Sequence, residues 1–411
     1  MSQNLQPAAL SSGLAGTRIM SSSNLPAMKV LLLTHSYSPE HSPPQRRWKA
    51  FLQVFTAKGI SVCVVAPKNG GLPQENEPGI KVLRYPSFGR PKRLALKALR
   101  SVLQSAASIP VCLVTGRKDV VIATVPALST LLSGYIVSRL LGAKFVVDLR
   151  DSWPNLLSES NVLRSSFLEP LITRVILFLL RHADLVVTVT RGLGEVAKAQ
   201  GAKPVTVISN GVDQANYTSA VPHIHRDDEL LNVLYLGNLG LSQGLDLVVR
   251  AVAGLSNKVR VRFVGDGTER ERLQQLAASL NAPVEFLHPV RGEQVLEQYA
   301  WADTCVVSLR PDWQSFEHTI PSKLYELLYF DRHITGLVRG EAANIIAASA
   351  AGNIVGQDLG SLMEHLENLR TEIGQQAHRG NGPNWVVEHA SLERLGEKYV
   401  RALSTLLRHH Q

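Results

Sequence analysis

The chain has 411 residues, 45% hydrophobic and 19% charged; this excludes wholesale disorder, and the length, well over the ~150 residues of an average domain, points to two domains. Its three cysteines, Cys63, Cys112 and Cys305, are too few and too scattered for a disulfide framework or a zinc site. The net charge of +9 is unevenly held: residues 1–215 carry 25 Lys and Arg against 11 Asp and Glu, and residues 216–411 carry 18 against 23, so one half is expected to face an anionic partner, with a membrane surface, nucleic acid and a polyanionic substrate all open.

Residues 1–27 are rich in Ser, Ala and Gly and lack a basic start followed by an apolar run, so they read as a disordered leader rather than a signal peptide. From Met28, short Val/Leu/Ile runs alternate with helix-length segments. The expected strands are Lys29–Thr34, Ser61–Ala66, Val120–Val125, Lys144–Leu149, Leu185–Thr190 and Val205–Ile208, continuously apolar as in a parallel sheet covered on both faces. These make a first domain over 28–215. After a polar break at 217–228 the pattern repeats over 216–390, with strands Asn232–Leu236, Val259–Val264, Val284–Leu287, Thr304–Leu309, Ile334–Val338 and Asn353–Val355. Helices are expected at Asp246–Ala253, Thr268–Leu280, Gly292–Ala300 and Ser322–Phe330, and a last one, about Leu392–Leu407, closes the chain within 391–411. The fold class is α/β, with two Rossmann-like doubly wound domains facing each other across a cleft. No stretch offers the ~20 uninterrupted apolar residues of a membrane span: Arg174 interrupts Leu171–Leu180.

Ligands in such sheets sit at the carboxyl ends of the strands. After the first strand, a loop with three prolines, containing Ser38 and Glu40, leads to Arg46 and Arg47 at a helix start, a place for an anion or a rigid loop with solvated arginines. After the fourth come Arg150, Asp151 and Trp153, either an internal ion pair or a carboxylate that orients a hydroxyl or takes its proton. In the second domain Gly237, Asn238 and Gly240 allow close backbone approach, without the dinucleotide spacing. Gly265 and Asp266 precede Thr268 and Glu271, which read as a capping box. Arg310, then Pro321, Ser322, Lys323 and Glu326, put helix amides and a lysine one turn below a carboxylate, an arrangement suited to a diphosphate and a ribose. No Asp-x-Asp pair of the kind that anchors a divalent ion is present, so no metal and no other cofactor is expected.

From Pro78 to Lys118 there are nine Lys and Arg and no acid. Leu94, Leu96, Ala98, Leu99, Val102 and Leu103 interleave with the charges as a basic amphipathic helix, suited to an anionic membrane surface or to a core-facing helix with a solvated basic face. Few aromatics accompany it, which weakens a nucleic-acid reading.

The ordered segments MKVLLLTHSYSPE, DLRDSWP, HADLVVTVT, VISNGVD, LGNLGLSQGLD, VGDGTERERL and TIPSKLYELL resemble the GT-B-fold glycosyltransferases of family 4, in particular the bacterial branch that builds O-antigen, capsule and exopolysaccharide. The resemblance spans about Met28 to Leu407. It implies a retaining, metal-independent transfer from a nucleotide sugar, UDP-linked in preference to GDP-linked, to a polyprenyl-diphosphate-linked saccharide at the inner face of a bacterial plasma membrane, with no nucleic acid involved. It implies that Glu326 holds the donor ribose, that Lys323, Ser322 and Arg310 surround its diphosphate, that Gly237, Asn238, Gly265 and Asp266 lie on the donor side, that Arg150 and Asp151 lie beside the transferred sugar, and that Ser38, Glu40, Arg46 and Arg47 lie near acceptor and phosphate. Two departures stand out. The family's first acid, eight residues before Glu326, is His318 here, with Glu317 one place off as its substitute, and the family's phosphate lysine is Gln243. The alternatives are a nucleotide-sugar epimerase of the same fold and a non-catalytic partner subunit.

Overall fold

The computed structural model describes residues 28–38, 43–68, 77–87, 94–125, 128–151, 168–214, 221, 230–373 and 380–408. The leader expected over 1–27 lies outside the described residues, as do Glu40, Arg90, Lys92, Arg93 and Trp153, together with the side chains of Leu94, Leu96, Lys97 and Ala98.

Two parallel sheets carry the molecule. The first holds β1 (Lys29–Leu33), β2 (Ser61–Pro67), β3 (Ile80–Tyr85), β4 (Val120–Val125), β5 (Lys144–Leu149), β6 (Leu185–Thr188) and β7 (Val205–Val207), in the order β3-β2-β1-β4-β5-β6-β7. The second holds β8 (Leu231–Leu236), β9 (Val259–Val264), β10 (Val284–Leu287), β11 (Thr304–Ser308), β12 (Ile334–Leu337) and β13 (Gly352–Ile354), in the order β10-β9-β8-β11-β12-β13. Helices cover both: α1 (Pro43–Ala57), α2 (Leu94–Leu113), α3 (Leu128–Leu141), α4 (Leu168–Arg181) and α5 (Arg191–Ala199) in the first half, and α6 (Asp246–Gly254), α7 (Arg270–Ser279), α8 (Glu293–Trp301), α9 (Ser322–Tyr329), α10 (Gly340–Ala348), α11 (Leu359–Ile373) and α12 (Gly382–His389) in the second, before the last helix, α13 (Leu392–Arg408).

Inner strands are buried along their length, β4 at every residue, and that produces their continuous apolar runs. The expected six strands of the first half become seven. The addition, β3, pairs with β2 at the sheet edge, and its IKVLRY run, broken by Lys81 and Arg84, is only partly buried. An edge strand lacks the continuous apolar signal of its neighbours. The basic window therefore divides. Arg84 of β3 donates to the carbonyls of Ser38 and Pro67, and Lys118 is tucked against the Thr115 carbonyl at 2.6 Å, while α2 leaves Leu99, Val102 and Leu103 exposed.

The last helix belongs to the first half's core. Leu392, Leu395, Tyr399, Val400 and Leu403 of α13 pack against α1, with the Tyr399 ring 5.5–5.8 Å from Trp48, Phe51 and Phe55. Each large apolar side chain buried there is worth about 1.5–3 kcal/mol. The return path crosses the segment after β7: Val212 N–H donates to Ala390 O at 2.8 Å and Leu392 N–H to Val212 O at 3.1 Å. A Cβ on Gly211 would stand 2.1 Å from Ala390 O, so the crossing requires glycine and accounts for that part of VISNGVD.

Candidate functional site

In each sheet the first strand of the half is internal, β1 between β2 and β4, and β8 between β9 and β11. The connections leave these strands in opposite directions, which opens a crevice at their carboxyl ends. The two crevices meet. A cleft of about 320 Å³ is lined by Gly237, Asn238, Gln243, Tyr299, Ser308, Ser322 and Lys323 of the second half and by Asp151 of the first. This is the scale of small-molecule sites, ~300–1,000 Å³. An adjoining hollow brings His35, Arg150, Asp151 and Asn210 to His318, Thr319 and Ser322, and a third joins Arg46, Arg47, Arg150 and Asn210 to Ser322 and Glu326. Ser322 borders all three, and Asp151 borders the first two.

Helix α9 organises the second half's share. Pro321 precedes its first residue, and the i, i+3, i+4 spacing sets Ser322, Lys323 and Glu326 on one face. The Glu326 carboxylate is buried. Its Oε2 accepts from Lys323 Nζ at 2.6 Å and from Tyr299 OH at 3.2 Å, and its Oε1 accepts from Arg46 Nη1 at 2.9 Å across the cleft. Burial alone would push this carboxyl up, but the charges of Lys323 and Arg46 and the Lys323 and Tyr299 hydrogen bonds hold it below the usual range.

The first half supplies a buried charge cluster. Arg47 is 2% exposed. It donates to the carbonyls of Ile208, at 2.9 Å, and Ser209, and its Nη2 lies 3.4 Å from Asp148 Oδ2. Although it borders the third hollow, its guanidinium is spent on tying α1 to the ends of β5 and β7, and the acceptor-side role expected of it gives way to an internal one. Arg150 reaches Asn210 Oδ1 at 3.4 Å. Burial and the neighbouring Arg47 charge push Arg150 down to about 10, while burial pushes the Asp151 carboxyl up against the opposing pull of Arg150.

Other expected residues lie elsewhere. Arg310 forms a two-pronged pair with Asp312, at 2.8 and 2.7 Å, in a separate groove beside Asp246 and Glu269. Glu317 is exposed on a short 3-10 turn, Gln314–His318, and lines neither cleft nor hollow, whereas His318 does line the site. Gly265, at φ +152°, crosses Gly237 so closely that a Cβ would stand 1.8 Å from its carbonyl oxygen, a packing demand that only glycine meets. Asp266 is exposed and accepts from the next residue's N–H. Ser38 is buried behind Arg84. The Thr268–Glu271 box does not form; α7 starts at Arg270, and Glu269 N–H is satisfied by Leu239 O at 2.9 Å. Gln243 turns its side chain back to Gly240 N–H at 3.1 Å. Tyr299 belongs to no local pattern that marks a contact across elements, and His35, within the MKVLLLTHSYSPE segment, carries no individual role until the fold sets it beside Arg150 and Asp151.

Among the described residues no helix is long and apolar enough to cross a membrane, and no group of three or more His, Cys, Asp or Glu is arranged to hold a metal ion. Two family models match the chain: a glycosyl transferase 4-like domain over residues 44–211 and the glycosyl transferases group 1 over residues 231–371. No curated protein matches it in sequence. Among solved structures it is similar to sucrose-phosphate synthase from Thermosynechococcus elongatus (TM-score 0.73, 14% identity, 93% of this chain and 99% of that one). It is also similar to Anabaena HepE in complex with UDP and glucose (0.65, 16%, 92% and 99%). A third is the lipopolysaccharide outer core galactosyltransferase WaaB (0.62, 16%, 91% and 99%).

Proposed function

The chain belongs to the GT-B-fold glycosyltransferases of the family 4 type, and from that membership we propose that it moves a sugar, with retention, from a UDP-sugar to a lipid-linked saccharide in bacterial surface polysaccharide synthesis. The observation that carries the reading is the buried Glu326 with Lys323 one turn before it: Lys323 lines the cleft that Asp151 of the opposite half also lines, and Glu326 lines the hollow beside it that holds Arg46 and Arg150. Glu326 holds the ribose hydroxyls. Lys323 and the first amides of α9 meet the diphosphate, whose growing negative charge in the transition state is met by fixed cations and N–H groups, with no resident metal. HepE, similar in fold, is bound to UDP.

Asp151 and Arg150 flank the transferred sugar. Asp151 orients the acceptor hydroxyl, and its raised pKa suits a group that exchanges a proton there. The acceptor's diphosphate lipid and the bilayer lie on the first half. There α2, which lies within the basic stretch 78–118 of the sequence, presents Leu99, Val102 and Leu103, and α4 presents Leu171 and Phe178. Anionic lipid contributes roughly 1 kcal/mol per basic residue near the surface. On this reading the protein sits at the inner face of the plasma membrane.

Thermal-shift titration with UDP and with GDP tests the donor site. UDP stabilises the wild type and Glu326→Ala abolishes the shift. No stabilisation by either nucleotide refutes the reading. Transfer from a UDP-sugar to a polyprenyl-diphosphate saccharide by the purified chain tests the reaction. Epimerised free nucleotide sugar, formed without acceptor, would count against it.

A further inference from the structure

Resting on the reading of Glu326 as the ribose ligand, we propose that Arg46 is the first half's diphosphate ligand, and that it reaches the phosphates by leaving Glu326 as the ribose arrives.

Three of the carboxylate's four acceptor sites are taken, one on Oε1 by Arg46 and two on Oε2 by Lys323 and Tyr299. A ribose diol needs acceptor sites on the same two oxygens, so one present partner must yield. Tyr299 is buried and fixed by its packing, and Lys323 is one helical turn from Glu326 on α9 and stays near whatever happens. Arg46 is the partner that comes from the other half. Its side chain is 45% exposed, so it moves at the lowest cost in packing.

The remaining cations at the cleft narrow the choice further. Arg47 is committed to Asp148 and two backbone carbonyls, Arg310 to Asp312 in another groove, and position 243 carries a neutral glutamine that caps its own turn. Arg150 is held to Asn210 beside Asp151, at the transferred sugar, which leaves Lys323 as one positive charge for a diphosphate. Arg46 adds a second, and its planar fork matches two phosphate oxygens. The exchange keeps every group satisfied. Ribose hydroxyls replace the guanidinium on Glu326, and phosphate oxygens replace Glu326 on the guanidinium. Because Arg46 sits on α1 and Glu326 on α9, the nucleotide becomes the link between the halves, and a nucleoside without phosphates has no means of recovering the contact it displaces.

The test measures dissociation constants of UDP and of uridine for the wild type, Arg46→Ala and Arg46→Lys by calorimetry. Loss of one charge-assisted contact weakens UDP about tenfold or more in Arg46→Ala. Uridine binds Arg46→Ala as well as or better than wild type, because Glu326 loses a competitor. Arg46→Lys falls between for UDP. Unchanged UDP affinity in Arg46→Ala, or equal weakening of UDP and uridine, overturns the exchange while leaving the ribose role of Glu326 standing. Uridine binding indifferent to Glu326→Ala overturns the ribose reading, and the exchange with it.

Discussion

Arg46 and Arg47 are adjacent in sequence and opposite in role, and replacing each by methionine separates the roles. Arg47→Met removes a guanidinium that is 2% exposed and leaves Asp148, fully buried, without its paired cation and with only the more distant charge of Arg150. The carbonyls of Ile208 and Ser209 lose their donor as well. Breaking a buried pair from one side costs about 3–5 kcal/mol, because the remaining charge is stranded in a low dielectric. For a unit of 150–250 residues this is a fall in the thermal midpoint of roughly 6–20 °C. Arg46→Met removes a half-exposed partner of a carboxylate that keeps Lys323 and Tyr299, and costs under about 1 kcal/mol. Differential scanning fluorimetry of the two variants reads the contrast. Adding Asp148→Asn to Arg47→Met recovers part of the loss, since the stranded charge is what destabilises. Equal midpoints for the two methionine variants, or a loss in Arg47→Met within about 1 kcal/mol of zero, would refute the reasoning.

Asp151→Asn is expected to raise stability at pH 7 while reducing transfer: the folded carboxyl titrates above 3.8, so its favourable contribution is complete below that value and is lost as pH rises through the folded pKa. Urea melts at pH 7 and pH 3 check this, and a less stable variant at pH 7 contradicts it. Glu326 runs the other way. Its pKa is depressed, so the stability it lends is present above about 4.5 and fades as pH falls through the lower folded value; Glu326→Gln removes that acid limb from a stability–pH profile. Gly265→Ala forces a Cβ onto Gly237 O and costs about 1–3 kcal/mol or more, read by thermal melts, and a neutral effect would mean that the crossing relaxes. The double change Leu99→Glu and Leu103→Glu lowers co-sedimentation with phosphatidylglycerol vesicles and leaves UDP binding intact; undiminished sedimentation excludes α2 as the membrane contact.

Much of the architecture is legible in the sequence because a buried parallel strand has no polar face to interrupt its apolar run. All the strands expected in the second half are present. β3 escapes this logic: at the sheet edge Lys81 and Arg84 break its apolar run, and Arg84 looks like surface charge until the fold brings it to the Ser38 carbonyl. The helix spacing of Ser322, Lys323 and Glu326 is equally legible, since one turn of helix sets it without help from the rest of the chain.

The sequence by itself determined the two α/β halves, the order of motifs that marks the family, and the local face of α9 that carries lysine and glutamate. Tertiary structure alone decided which charges meet. Arg46 crosses to Glu326 while Arg47, one residue on, turns inward to Asp148; His318 lines the hollow beside the cleft and Glu317 stands exposed; and the final helix returns to pack on α1. The physical reason is range. Backbone periodicity is settled within a turn or a strand, whereas the direction of a charged side chain depends on partners hundreds of residues away, whose desolvation and pairing outweigh any local preference.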